Sequence, residues 1–318
     1  MVNPKISVIM SVYNGERYLR EAIESILNQT FADFEFIIVN DGSTDSSLEI
    51  IQSYQDERIR VINNEINIGL TKSLNKAITE AHGEYIARQD ADDISLPNRF
   101  EEQLRYLEQH PETVLLGTSI YMIDEDGKTL GKCTAMAEPS KSLTKGNPFN
   151  HGSTMFKSEI VHKLGGYNEL FRYCQDYELW LRMAKYYEVR NLKQVLYKLR
   201  SHDENIQFKK RDEAILYHLL ALRLARNDLD AEVLRAIKDN GIKSLYPYLN
   251  KNEKVFFNKA VAYMYMRNNN VKLAREEYKK VLKLNPLDFG NNINLILSYL
   301  GKGTWTKVHR IYAGFGHR

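Results

Sequence analysis

The first 93 residues alternate short β-rich runs with amphipathic helical ones, and no other feature of the chain constrains its fold as strongly. Ile6 to Val12, Phe34 to Val39, Ile59 to Ile62 and Glu84 to Ala87 read as strands. Between them Leu19, Ala22, Ile23, Ile26 and Leu27 share one helical face with Asn14 as N-cap. Leu48, Ile51 and Tyr54 mark a second helix, and Leu74, Ala77 and Ile78 a third. Parallel neighbours need a connection long enough to return over the sheet, so this repetition predicts an α/β fold: a mostly parallel sheet, right-handed crossovers and flanking helices.

Such a sheet collects ligands beyond the carboxyl ends of its strands. Here those ends are Tyr13-Asn14-Gly15-Glu16, Asn40-Asp41-Gly42-Ser43, Asn67-Ile68-Gly69 and Arg88 to Asp93, all polar and three containing glycine. Each alone is an ordinary turn. Together on one edge they point to a pocket for a phosphorylated, hydroxyl-rich molecule and a divalent cation, because hard oxygen ligands suit Mg²⁺ or Mn²⁺. Asp90, Asp92 and Asp93 repel one another and are most easily held at solvent, a cation or a helix start; an acidic turn capping a helix that begins near Ser95 is the other reading. No G-x-G-x-x-G follows the first strand and no G-x-x-x-x-G-K-[ST] occurs, which removes dinucleotide dehydrogenases and P-loop enzymes. A nucleotidyltransferase would carry a glycine- and lysine-rich loop where Tyr13 to Glu16 stand.

Downstream, Pro97 to Glu108 is predicted to be a helix with Phe100, Leu104 and Leu107 inward, and Val114 to Met122 a strand. The turn-rich Gly146 to Thr154 runs into Met155-Phe156. Residues from Cys174 to Met183 form a helix with Tyr177, Trp180, Leu181 and Ala184 inward. Gln175 and Asp176 then stand at the helix start, where an acid is favoured for its own sake by the helix dipole.

These segments, Ser7 to Asn14, Ile38 to Asp45, Asn67-Ile68-Gly69, Gly83 to Ile86, Asp90 to Asp93 and Gln175 to Trp180, closely resemble the family 2 glycosyltransferases, in that family's order and over about the first 205 residues. The resemblance implies an A-type glycosyltransferase fold, a nucleotide-sugar donor and inversion at the anomeric carbon. It places Asp41 at the nucleobase, usually uracil, over a floor of Tyr13, Asn14 and Glu16, with Val12, Ser43, Asn67, Gly69, Lys72 and Ala91 completing the donor side. Asp90 and Asp92 stand at the D-x-D pair, Asp92 as the direct ligand of Mn²⁺ or Mg²⁺, Asp90 beside it, and His202 closes the metal and diphosphate site. Asp93 supports that ligand or contacts the sugar. Asp176 is the general base, with His151, Gly152, Asp93, Gln175 and Trp180 on the acceptor side. Loop histidines with satisfied partners are the alternatives for His151 and His202.

The expectation is a metal-dependent inverting glycosyltransferase using a nucleotide sugar, UDP-linked by family habit, to extend a glycan or lipid-linked acceptor in surface polysaccharide synthesis. A non-catalytic nucleotide-sugar-binding scaffold that recruits partners through its tail is the competing class. Residues 1–205 make the catalytic domain and 206–318 an all-α domain in which Ala260 to Pro286 resembles one tetratricopeptide-type helical pair, fewer than an independent solenoid needs. Neighbouring helices or a second copy are therefore its partners. A net charge of +3 argues against nucleic acid, and two cysteines, Cys133 and Cys174, fit a reducing compartment. No segment reads as a spanning helix or signal peptide, so the reading is cytoplasmic. The basic, aromatic stretch Lys302 to Phe315 is either a packed final helix or a contact with the inner face of a membrane.

Overall fold

The computed structural model describes residues 3–202 and 211–307. The chain divides into two compact units, Met1–Asn205 and Ile206–Arg318. Asp203, Glu204 and Asn205, the boundary expected there, and the tail from Val308 onward lie outside the described residues.

In the first unit, β1 (Ile6–Val12), β2 (Phe34–Asn40), β3 (Ile59–Asn63) and β4 (Tyr85–Arg88) pair in parallel in the order β3-β2-β1-β4. Val8, Met10, Phe36 and Ile38 point to one face, buried with Leu19, Ala22, Ile23 and Ile26 of α1 (Leu19–Leu27) and Phe100, Leu104 and Leu107 of α4 (Arg99–Gln109). Ile9, Ile37 and Val39 alternate to the opposite face, where α3 (Leu70–Thr79) buries Leu74, Ala77 and Ile78. A sheet covered on both faces needs strands that are apolar throughout, which is how these read.

Beyond β4 the sheet continues in both directions. β8 (Met155–Lys157) is antiparallel to β4 and to β6 (Thr113–Ile123), and β9 (Glu188–Arg200) runs parallel to β6. β7 (Thr129–Cys133) pairs β6 at the edge, and β5 (Ile94–Ser95) is antiparallel to β9. Thus Ser95 lies in a short strand and not in a helix, which starts at Arg99. Asn14 is not an N-cap either: its backbone is left-handed at φ 52°, a four-residue turn follows, and α1 begins only at Leu19.

The helix α6 (Gln175–Ala184) inserts Trp180, fully buried, between Phe149, Phe156 and His151, with ring centroids 6.1, 5.5 and 6.1 Å away. This corrects the expectation that Trp180 faces an acceptor. Gln175, at 6% exposure, is likewise inside. Replacing Trp180 by Ala is expected to cost about 3–5 kcal/mol, read as a lowered urea midpoint, because the void left between three rings cannot collapse.

The second unit is helical in its described residues. The helix Lys251–Arg267 starts in a capping box in which Asn250 and Glu253 serve each other's backbone, and the Glu253 carboxylate also takes two bonds from Arg223 at 3.0 and 2.8 Å. With Val271–Leu284 it forms a hairpin around Ala262, Met266, Ala274 and Tyr278. Trp305, at 3% exposure, completes that cluster, so of the two readings of the Lys302 to Phe315 stretch the packed one describes this ring. Among the described residues no helix is long and apolar enough to cross a membrane.

Candidate active site

The loops after β1 and β2 are laced together. The Asn14 amide donates to Ser43 Oγ (3.0 Å) and Asn14 Oδ1 accepts from the Thr44 amide (2.8 Å). The Glu16 amide donates to Asp45 Oδ2 (3.0 Å), while Glu16 Oε2 accepts from the Ser46 amide (2.9 Å). Gly15 N reaches Ser47 Oγ at 2.9 Å. Asn14 and Ser43 therefore bond each other and Glu16 bonds Asp45 and Ser46, leaving Tyr13, 51% exposed, as the open ring of this floor.

Asp41 is 2% exposed and holds the neighbouring loop in place. Its Oδ1 accepts from Asn64 Nδ2 and the Ile68 amide and its Oδ2 from the Gly69 amide, each at 2.9 Å. Lys76 Nζ bonds Asn64 Oδ1 at 2.7 Å, which fixes the amide so that its nitrogen faces Asp41. One acceptor position remains, on Oδ2. Gly69 has φ 92°, a conformation a side chain would strain. Asn67 and Lys72 are exposed on this rim. Val12 is not available to a ligand: its side chain is in the core and its carbonyl holds the Asp41 amide at 2.8 Å. Ala91 is half-buried against the same core.

The three acids after β4 diverge. Arg88, fully buried, donates Nη2 to Asp90 Oδ1 at 2.6 Å. Asp90's amide meets the Tyr197 hydroxyl at 3.2 Å. Burial pushes the Asp90 carboxyl up, with Arg88 pulling against it and Asp92 adding to it. Asp92 points elsewhere, its Oδ2 2.9 Å from His202 Nε2. Asp93, at 3% exposure, accepts from the Arg200 amide at 2.7 Å; burial and the charges of Asp92 and Asp90 raise its carboxyl well above the usual range. It therefore supports the wall, tying the acid loop to β9, and does not face an acceptor or a sugar.

Among the described residues no three His, Cys, Asp or Glu side chains converge on a metal position, so the expected Asp90–Asp92–His202 set reduces to Asp92 and His202. The two stand at hydrogen-bond distance, and a carboxylate beside an imidazole is a donor set that Mn²⁺ or Mg²⁺ accepts.

On the other side, Asp176 occupies the first turn of α6, entered through Cys174 in a left-handed conformation at φ 58°. Asn147 Nδ2 donates to Asp176 Oδ2 at 2.7 Å, and its Oδ1, accepting from the Phe149 amide at 3.1 Å, settles which end of the amide faces the acid. Burial pushes the Asp176 carboxyl up; the Tyr177 amide and Asn147 oppose, and the negative charge of Asp90 adds to the rise. The segment between the two acids is His151-Gly152: the His151 ring packs on Trp180 of α6, 6.1 Å between centroids, and Gly152 faces Asp90. His151 Nε2 lies 2.7 Å from the Tyr167 hydroxyl, and burial, then the Arg88 charge, hold it well below its ordinary value, hence neutral near pH 7. Gly152 presses on the acid loop: a Cβ there would stand 2.1 Å from Tyr197 Oη and 2.6 Å from Asp90 Oδ2. Gly152→Ala is expected to displace Asp90, with turnover down about 100-fold and stability lowered by about 1–3 kcal/mol, checked by steady-state rates beside urea unfolding.

Several site residues are not singled out by the sequence: Asn64, Arg88, Asn147 and Tyr167, and Tyr197 and Arg200 from β9. Arg200 is 2% exposed, and its Nε bonds the Asp92 carbonyl at 2.9 Å.

A family model described as "Glycosyl transferase family 2" matches residues 7–165. The putative glycosyltransferase EpsE of Bacillus subtilis is 39% identical over 233 residues, covering 70% of this chain and 83% of that protein. Among solved structures, S. aureus TarS 1–349 in complex with UDP-GlcNAc has a TM-score of 0.57 at 19% identity, covering 96% of this chain and 92% of the other. The mannosyltransferase PcManGT from Pyrobaculum calidifontis, in complex with GDP-Man and Mn²⁺, has a TM-score of 0.59 at 16% identity, covering 96% and 83%.

Proposed function

The chain belongs to the family 2 glycosyltransferases, and on that premise we propose that it transfers a sugar, with inversion, from a nucleotide donor of the UDP-sugar class to a hydroxyl of a glycan or lipid-linked acceptor. The nucleobase rests against Tyr13 and takes the remaining acceptor position of Asp41. Asp92 and His202 would hold a divalent cation, Mn²⁺ or Mg²⁺, on the donor side. Such a cation offsets the charge that grows on the departing phosphate oxygen. Asp90, oriented by Arg88 and pressed by Gly152, faces the sugar between the cation pair and the base. Asp176 receives the acceptor's proton as the new bond forms, since an alcohol is too weak an acid to lose it unaided. Neutral His151 and Gly152 line the acceptor side.

The observation that carries this reading is the His151-Gly152 segment between two acids 86 positions apart in sequence: a Cβ at Gly152 would stand 2.6 Å from Asp90 Oδ2, and His151 packs on Trp180 of the helix whose first turn holds Asp176. The UDP-GlcNAc and GDP-Man complexes of the two structural neighbours support the choice of a nucleotide sugar. Incubation with a panel of UDP-, GDP- and dTDP-sugars and Mn²⁺, with and without glycan acceptors, tests it. Cation-dependent release of nucleoside diphosphate supports the transfer; tight donor binding without release in any combination would show a scaffold instead.

A further inference from the structure

Arg99, the first residue of α4, is fully buried, yet its hydrogen-bond acceptors among the described residues are neutral groups. Its Nη2 donates to the carbonyls of Arg88 (2.9 Å) and Thr154 (3.0 Å), its Nη1 to Ser95 Oγ (2.8 Å) and its Nε to Gln103 Oε1 (2.9 Å). Gln103 in turn donates to the carbonyls of Leu116 and Ser153, both at 3.0 Å. Ser95 Oγ donates to Gln89 Oε1 (2.7 Å), and Gln89 Nε2 reaches the carbonyls of Asp90 (3.0 Å) and Asp93 (2.9 Å). The guanidinium also lies 5.2 Å from the centre of the Tyr197 ring, whose hydroxyl meets the Asp90 amide.

A desolvated charge is costly, and here burial lowers the guanidinium to about 10, so that it stays charged near neutral pH despite the cost. An apolar side chain would fill the same volume without that penalty. What it would lose is an Nη2 that seizes both the carbonyl at the end of the acid-bearing strand and the carbonyl just past Gly152, aimed there because Nη1 and Nε of the same planar group are held by Ser95 and Gln103. Those two segments meet where Gly152 presses on Asp90 Oδ2.

We propose that Arg99 is a positioning residue for the transfer reaction, locking the Arg88–Asp93 segment to the Gly152–Thr154 segment so that the donor-side and acceptor-side halves of the crevice keep one spacing. It rests on the reading of the site given above. It touches neither substrate nor cation, and acts through Arg88, Gln89, Gln103 and Thr154. A lysine keeps the charge but reaches only one or two of those acceptors.

The test is Arg99→Lys in the full chain, with three readouts. Amide hydrogen exchange at residues 88–93 and 152–155 is expected to quicken about tenfold while residues 8–10 and 36–39 are unchanged. kcat, followed by diphosphate release with the donor found above, is expected to fall at least ~30-fold with KM for donor and Kd for UDP both within about threefold. A purely structural role would lower Tm and move donor affinity and kcat together, or leave kcat of the folded protein intact; either result overturns the proposal. If Arg99→Lys does not fold, Gln103→Met, which removes the acceptor of Arg99 Nε together with the links to Leu116 and Ser153, is read the same way. If the wild type turns over no donor, the transfer reading itself falls. The exchange data then decide the linkage alone, quickening at both segments supporting it and change at neither overturning it.

Discussion

Asp176→Asn is expected to slow sugar transfer about a thousandfold while UDP affinity stays within about threefold, because the amide keeps the shape of the acid and cannot take the acceptor's proton. The pH profile gives a second, independent reading. Burial, with Asp90's charge added, holds the Asp176 carboxyl above its ordinary value, and the base works only when ionised. Activity should therefore climb with pH through that raised value, placing the acidic limb above the usual aspartate range. Asp90→Asn removes one of the charges that raise it, so the limb should move to lower pH in whatever activity remains. Stability runs the other way. A carboxyl bound more tightly to its proton in the folded state than in the unfolded one costs stability as pH rises through the folded value, and the Asn variant should lack that decline. An Asp176→Asn enzyme with undiminished turnover would remove the assigned base.

Asp92→Ala should cost about 100- to 1000-fold in turnover and, more diagnostically, abolish the effect of Mn²⁺ on UDP binding. Its carboxylate is 36% exposed, with His202 at hydrogen-bond distance. Calorimetric titration of UDP with and without Mn²⁺ separates the roles. The wild type should bind UDP more tightly with the cation, Asp92→Ala equally with or without it. A variant that still responds to Mn²⁺ would place the cation elsewhere.

How much of this was legible in the sequence follows from how regular each element is. β1, β2 and β4 are largely apolar and buried on both faces, and all four parallel strands were read to within a residue, while the helices between them were recognised by their 3.6-residue period. β9 was missed because its pairing with β6 slips register between Thr113 and Leu115 and again around Ser119, so its apolar residues never alternate cleanly. With it went Tyr197 and Arg200. Asn14 looked like a helix cap because an asparagine before an amphipathic run commonly is one; a left-handed turn that reaches across to Ser43 and Thr44 leaves no local mark. Asp93 and Trp180 shared short motifs with exposed neighbours. Sequence shows which residue types stand together, whereas burial depends on a strand over a hundred positions away for Asp93, and for Trp180 on the rings of Phe149 and Phe156. The D-x-D pair misled in a subtler way: its members are two apart, yet Arg88 turns one while His202 holds the other.

The lacing of the loops after β1 and β2 has a consequence for how a ligand arrives. With Asn14 and Glu16 already held across the two loops by Ser43, Thr44 and Ser46, little rotamer freedom is left to freeze, and freezing such side chains at an interface takes about 0.5–1.5 kcal/mol each. A nucleoside settling on this floor should meet a finished surface, with fast single-phase association and no slow conformational step after encounter.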